Sequence, residues 1–127
     1  MRKIVIITLS IIFCAFTFNA NALEKKRDLT NEEKIKVEEA VKQTLKDPDS
    51  AKFRHSKLIL MDGSATSPYC GMVNAKNSYG GYTGYSIFFV GVTTNKSGER
   101  VVMYLGPNDE SDTEQRAMIN VCAKYGY

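Results

Sequence analysis

The sequence predicts an α+β domain with one disulfide, in the order helix, four antiparallel strands, helix. Two observations predict it. Apolar residues recur at helical spacing near both ends of the chain that follows an export signal, whereas apolar runs of strand length fill its middle. The segments between these runs are too short for a crossover helix, so the sheet should be an antiparallel meander. We expect both helices to cover one face of that sheet.

The first 22 residues have the features of a secretory signal peptide. Arg2 and Lys3 precede an apolar run over residues 4–18, and residues 20–22 read Ala-Asn-Ala, a small-x-small cleavage pattern. The run is shorter than the roughly 20 residues that span a bilayer. Lipid attachment to Cys14 is the alternative, disfavoured because a phenylalanine precedes it. We expect cleavage after residue 22, one domain over residues 23–127, no stable membrane span, and a periplasmic or secreted location.

The charge pattern bears on the class of partner. The precursor has 17 Lys and Arg against 14 Asp and Glu, a net charge of +3, and two of its basic residues lie in the signal. The mature chain would keep a net charge of +1, with its lysines interspersed among acids rather than clustered. Nucleic acid is therefore not expected as a partner.

Two cysteines, Cys70 and Cys122, remain after cleavage of the signal. Cysteine pairs in exported chains usually form disulfides, because the compartment is oxidising. A bond between Cys70 and Cys122 would close a loop of about 53 residues, which is worth about 4 kcal/mol in the chain-entropy model. The alternative, a reactive thiol, needs a neighbouring base, and the single histidine, His55, is not marked as one by the residues around it.

The first helix is predicted from a capping box and an apolar stripe. Thr30 and Glu33 have the spacing at which each side chain satisfies the other residue's backbone N–H. Val37, Val41 and further apolar residues then recur on one face. The helix is expected to stop at Asp47-Pro48, because the residue before a proline avoids helical geometry. A short turn, DPDSAKF, follows.

Four strands and a second helix are expected in the rest of the chain. The strands cover residues 53–61, 69–76, 85–94 and 99–105, with a hairpin turn at residues 95–98 between the last two. Ser111 and Glu114 form a second capping box. The stripe of the last helix contains Cys122, so the disulfide would join this helix to the second strand; the stripe consists of Met118, Val121, Cys122 and Tyr125.

Residues 70–85, CGMVNAKNSYGGYTGY, hold four glycines and three tyrosines. Glycines allow backbone angles that a returning loop needs, so a purely structural loop is one interpretation. That interpretation leaves the evenly spaced tyrosines unexplained. Tyrosine among glycine, serine and asparagine is typical of surfaces that bind through rigid rings and adaptable polar groups. The candidate binding residues are Asn74, Asn77, Tyr79, Tyr82 and Tyr85.

The segments DPDSAKF and CGMVNAKNSYGGYTGY resemble a pattern of small exported bacterial proteins of unassigned role, DPxSAxF followed by CGxVNAKNxxGGYxG. The resemblance spans residues 45–89. It implies a small exported domain, and it supplies neither an activity nor catalytic residues.

Motifs for catalysis are missing from the sequence. It has no G-x-S-x-G elbow, no phosphate loop, no CxxC, and no His, Cys or Asp cluster at metal-ligand spacing. We expect no catalytic residue, no cofactor and no metal. The sequence favours a non-enzymatic exported protein that presents the loop to a protein partner in the envelope, possible roles being inhibitor-like or immunity-like. A small carbohydrate-binding domain or envelope enzyme that uses the same loop is the alternative.

Overall fold

A computed structural model describes residues 25–106 and 111–127. The predicted signal peptide lies outside the described residues. The elements are β1 (Lys25–Arg27), α1 (Asn31–Lys42), a 3-10 turn (Pro48–Ser50), β2 (Lys52–Arg54), β3 (Leu58–Leu60), β4 (Thr66–Asn74), β5 (Ser86–Thr94), β6 (Arg100–Tyr104) and α2 (Asp112–Lys124). No helix in these two ranges is long and apolar enough to cross a membrane.

The strands form two antiparallel sheets. One has four strands in the order β2-β4-β5-β6, and the other pairs β1 with β3. The α+β class is confirmed, but the single meander is not, because the strand predicted over residues 53–61 is divided between the sheets. The division falls at His55 and Ser56. The His55 ring and the Ser56 backbone N–H both bond to the Tyr69 hydroxyl, at 3.0 and 3.1 Å, which takes this segment out of the ladder.

The start of α1 is as predicted, and its end is not. Thr30 and Glu33 form the full capping box. The helix ends at Lys42, five residues before the expected stop at Asp47, and the chain continues in tighter i→i−3 turns. The Thr44 hydroxyl donates to the Val41 carbonyl at 2.8 Å, which satisfies one of the last free helix carbonyls.

The main core lies between α1 and one face of the four-stranded sheet. Val37 and Val41 of α1 are buried in one cluster with Tyr69 of β4 and with Phe88 and Val90 of β5. Because alternate strand residues point to opposite faces, these side chains define the α1 face of the sheet. Burying such side chains is worth about 1.5–3 kcal/mol each, so this cluster is the main apolar contribution to stability.

The helix α2 packs on the opposite face, so the prediction that both helices cover one face is wrong. Cys70 follows Tyr69 in β4 and therefore points away from α1. It is bonded to Cys122 of α2, with the Cα atoms 6.1 Å apart. Phe89, which pairs with Cys70 across the ladder, stacks its ring on that of Tyr125 at 5.9 Å. The disulfide predicted from the sequence is confirmed, and it joins the last helix to the sheet.

A buried ion cluster attaches β1 to the rest of the fold. The Glu33 side chain is 1% exposed and accepts two hydrogen bonds of 2.7 Å from the Arg27 guanidinium. Arg100 Nε lies 3.1 Å from the same carboxylate, and the Thr30 N–H donates to it at 2.9 Å. The hydrogen bonds from Arg27 lower the pKa of Glu33 to about 2, with burial acting in the opposite direction.

Candidate functional site

The tyrosine loop, residues 75–85, connects β4 to β5 and is closed by its own hydrogen bonds. The Asn77 side-chain oxygen accepts from the backbone N–H groups of Tyr79 and Gly81, at 2.9 and 3.1 Å. The Asn77 N–H donates to the Gly81 carbonyl at 2.9 Å. Gly80 has φ of 78°, in the left-handed region that favours glycine. Asn77, predicted as a binding residue, therefore has its oxygen engaged inside the loop.

The 3-10 turn fixes both limbs of the tyrosine loop. Ser50 Oγ accepts from the Lys76 N–H at 2.8 Å, and the Ser50 carbonyl accepts from the Tyr82 hydroxyl at 2.8 Å. Lys76 and Tyr82 also face each other as an isolated antiparallel bridge. Because Ser50 binds one limb through its side chain and the other through its carbonyl, the loop is anchored at its base rather than only at its ends.

The three tyrosines of the loop occupy different environments. Tyr79 is 96% exposed at the tip, and Tyr82 is 40% exposed with its hydroxyl bonded to Ser50. Tyr85 is half-buried at the start of β5. Only Tyr79 therefore has a side chain with no engagement inside the described part of the chain, and it is the ring most available to a partner.

Cations cover one face of each of the other two rings. Lys52 Nζ lies 4.5 Å from the centroid of the Tyr82 ring, and the Arg54 guanidinium lies 3.8 Å from that of Tyr85. Lys76 Nζ is 5.8 Å from the Tyr82 centroid. Such contacts are worth about 0.5–1 kcal/mol at exposed positions. We call these five residues, Lys52, Arg54, Lys76, Tyr82 and Tyr85, the aromatic–cation surface.

Sequence reasoning did not include the cations in the site. Lys52 and Arg54 flank Phe53, which packs against the core, so a signal was present in the alternation of charged and apolar residues along KFR. What the sequence does not specify is the contact between this strand and a loop more than 20 residues further along the chain.

Asn74, the remaining predicted residue, ends β4 beside the aromatic–cation surface. It pairs with Lys52 across the ladder and so points to the same face of the sheet. Its side-chain oxygen is buried and has no hydrogen-bond partner in the described residues. Buried polar atoms are usually bonded, so this oxygen is an exception in the fold, and its burial keeps it out of reach of a ligand in this conformation.

An apolar hollow of about 240 Å³ adjoins Arg54 on the α2 face of the sheet. Its floor includes Met72 and Ile87, which pair across β4 and β5, and Tyr127 closes one side. Met72 is 39% exposed, so α2 leaves this part of the sheet uncovered. The burial of Tyr127 raises the pKa of its hydroxyl to about 12. That hydroxyl donates to the Pro68 carbonyl and accepts from the Ile59 N–H.

His55 lies in a separate network that links α1 to β4. Its Nδ1 is 3.0 Å from the Tyr69 hydroxyl, and its Nε2 is 2.9 Å from a Glu38 carboxylate oxygen. Burial raises the pKa of Tyr69. Both ring nitrogens are therefore engaged in packing the fold. No group of three or more His, Cys, Asp or Glu side chains placed to hold a metal occurs in residues 25–106 or 111–127.

No protein-family model, curated protein or solved structure gives a significant match to the chain. The resemblance of residues 45–89 to small exported bacterial proteins consequently stays a prediction.

Proposed function

We propose that the protein is a non-enzymatic exported binding protein, acting in the periplasm or outside the cell, and that the tyrosine loop contacts a protein partner in the envelope. The observation that carries the proposal is the combination of a 96% exposed Tyr79 with a loop whose base is held by Ser50 and Asn77. An inhibitor-like or immunity-like role suits a small domain that presents a rigid loop.

A loop that is already ordered in the free protein loses less conformational entropy on binding. A flexible loop loses conformational entropy when it binds, at about 1–2 kcal/mol for each residue that becomes fixed. The hydrogen bonds of Asn77 and the two bonds to Ser50 fix this backbone in the free protein. Tyrosine adds a large contact area with few rotatable bonds, and it is enriched among the residues that dominate binding energy.

A carbohydrate ligand is the second candidate. The Tyr79 ring is free to stack on a sugar. The two other rings favour this candidate less, because a cation already covers one face of each. An envelope enzyme that uses the same loop would need an acid–base or nucleophilic group there, and the sequence predicts none.

Affinity capture from envelope extracts tests the proposal. The bait is the tagged, oxidised protein, compared with Tyr79→Ala and with a matched control, Ile119→Ala, which removes a 54% exposed apolar side chain from α2. We expect one protein to be retained by the wild type and the Ile119→Ala bait, and to be lost from the Tyr79→Ala bait. A partner retained equally by all three baits would show that the loop is not the contact.

A glycan pull-down separates the two candidates. Peptidoglycan and chitin are incubated with the wild type and with Tyr79→Ala and Tyr82→Ala. The protein-partner proposal predicts no retention on either polymer. Retention that either tyrosine substitution abolishes would favour the carbohydrate candidate instead.

A further inference from the structure

The cations of the aromatic–cation surface have no acidic partner within the described residues. No carboxylate there lies within 4.0 Å of the side-chain nitrogens of Lys52, Arg54 or Lys76. By contrast, Arg27 and Arg100 both bind Glu33. Three neighbouring cations without counter-charges attract an anionic ligand and disfavour a cationic one.

The contacts between cations and rings narrow the chemistry of that ligand. Nucleobases are held largely by stacking on open aromatic faces, and a sugar ring that stacks needs an open aromatic face as well. Here Lys52 occupies a face of Tyr82, and Arg54 lies only 3.8 Å from the centre of Tyr85. The rings therefore position the cations, and we expect the charged groups to make the main contacts with a ligand.

The spacing of the cations matches an extended polypeptide. Lys52 and Arg54 are two residues apart on β2 and point to the same face, which separates them by about 6.6 Å along the strand. Acidic side chains at alternate positions of an extended segment have the same spacing. β2 is an edge strand of its sheet. Apart from the β4 ladder, the described chain makes no hydrogen bond to the backbone of residues 52–54.

The apolar hollow beside Arg54 adds a second requirement. Met72 and Ile87 form its floor on the same face as the cations, because Arg54 pairs with Met72 across the ladder. A volume of about 240 Å³ accommodates an aliphatic or aromatic side chain. A segment that presents both carboxylates and an apolar residue fits this combination, and a uniformly charged polymer does not.

From these observations we infer that the aromatic–cation surface binds an extended acidic segment of a protein, laid along β2, with carboxylates against Lys52 and Arg54 and an apolar side chain in the hollow. The inference rests on the proposed function in that it specifies the chemistry of the partner. It differs from it in the residues that make the contact, since Tyr79 is not among them.

Fluorescence polarisation with a defined probe tests the inference. The probe is a short labelled peptide in which two Glu residues and one Val occupy alternate positions, with Thr between them, so that the carboxylates and the apolar side chain point to the same side. The matched control has Gln at both Glu positions. We expect the Glu peptide to bind and to weaken as salt is raised, because screening acts on charge pairs. We expect the Gln peptide to bind at least about tenfold more weakly. Equal binding of the two peptides, or absence of binding, would overturn the inference.

Charge-reversal variants locate the contact. Lys52→Glu and Arg54→Glu are exposed changes that remove one cation–π contact each, so thermal unfolding should shift only slightly. Each should weaken binding of the Glu peptide about tenfold or more. Lys96→Glu, at the exposed hairpin turn at the other end of β5, alters the net charge equally and should have little effect. Equal effects of all three variants would show that only the overall charge matters.

Other anionic polymers are tested in the same assay. If polygalacturonate or an oligonucleotide binds more tightly than the Glu peptide, and this binding depends on Arg54, the surface is assigned to that polymer instead.

The two proposals fail in different ways. A captured partner that depends on Tyr79, resists salt and binds Arg54→Glu normally would leave the proposed function standing and refute the acidic segment. A Glu peptide that requires Arg54, together with a captured partner indifferent to Tyr79, would do the reverse.

Discussion

At the scale of single residues, Glu33 has one role that the sequence predicts and one that it does not. It is the one charged side chain that is buried in residues 25–106 and 111–127. From the sequence it is identified as half of a capping box, and the structure confirms that role. Its two arginine partners, Arg27 and Arg100, come from strands before and after α1. Local spacing predicts the cap because the cap is local, but not the ion cluster, because that depends on how distant strands meet.

Glu33→Gln should destabilise the fold at neutral pH and not at very low pH. The folded-state pKa of about 2 is below the ordinary value of 4.5, so ionisation stabilises the fold above about pH 4.5, and this contribution is lost as the pH falls towards 2. Removing the charge from a buried pair should lower the free energy of unfolding by about 3 kcal/mol at pH 7. Urea unfolding of the wild type and of Glu33→Gln across this pH range measures the difference in the free energy of unfolding.

Glu32→Gln is the control for that measurement. Glu32 is 66% exposed and pairs with Lys36 one turn along the helix, an arrangement worth only about 0.3–0.5 kcal/mol. If Glu33→Gln has an effect as small as this control, or one that does not change with pH, the buried cluster does not stabilise the protein as described.

At the scale of elements, long periodic segments were predicted well, and short irregular ones were not. The apolar stripes of the two helices and the runs of β4, β5 and β6 repeat often enough for their type to be recognised. The segment at residues 53–61 looks like one strand because no glycine, proline, asparagine or aspartate interrupts it. It is divided because His55 and Ser56 bond to Tyr69 of another strand. Such tertiary contacts override local preference.

The candidate site also has one part that the sequence predicts and one part that it does not. The tyrosine loop is recognisable from composition alone. Its anchoring is not, because Ser50 lies 26 residues before Lys76 and 32 before Tyr82. The faces of the sheet are likewise predicted only in part. Strand alternation places Tyr69 and Cys70 on opposite faces, but the sequence of α1 does not indicate which of these two faces the helix covers.

Tyr82→Phe should loosen the loop without unfolding the domain. It removes the hydrogen bond from the Tyr82 hydroxyl to the Ser50 carbonyl, a contribution of about 0.5–1.5 kcal/mol, and keeps the ring beneath Lys52. Tyr79→Ala should change the free energy of unfolding by no more than about 0.5 kcal/mol, because its side chain is exposed. Chemical denaturation of both variants measures the difference. A Tyr79→Ala protein that is the less stable of the two would show that the tip is structural.

At the scale of the whole molecule, the two faces of the four-stranded sheet are stabilised differently. The α1 face has a cluster of buried apolar side chains. On the α2 face, Cys122 is the one fully buried residue of the helix, and Met118 and Val121 are only half-buried. The disulfide to Cys70 therefore holds α2 where apolar burial is limited, and it leaves the part of that face over β2 and β4 open for the hollow and the cations.

Replacing Cys70 and Cys122 together with serine should lower the free energy of unfolding by about 2–5 kcal/mol, because the bond constrains residues 52 apart in the unfolded chain. The purified protein should contain no free thiol from this pair when it is denatured without reductant. Calorimetry and thiol titration check the two statements. Free thiols in the denatured, unreduced protein would contradict the pairing.

The central claim is that the tyrosine loop and the strand beside it form the contact surface of a folded, rigid domain. Amide hydrogen exchange of the protein, free and saturated with its captured partner, tests this most directly. We predict added protection in residues 50–54 and 74–87, with the amides of α1 and of the outer turns of α2 unchanged. Protection confined to α2 or to β6, with the tyrosine loop exchanging as in the free protein, would contradict it.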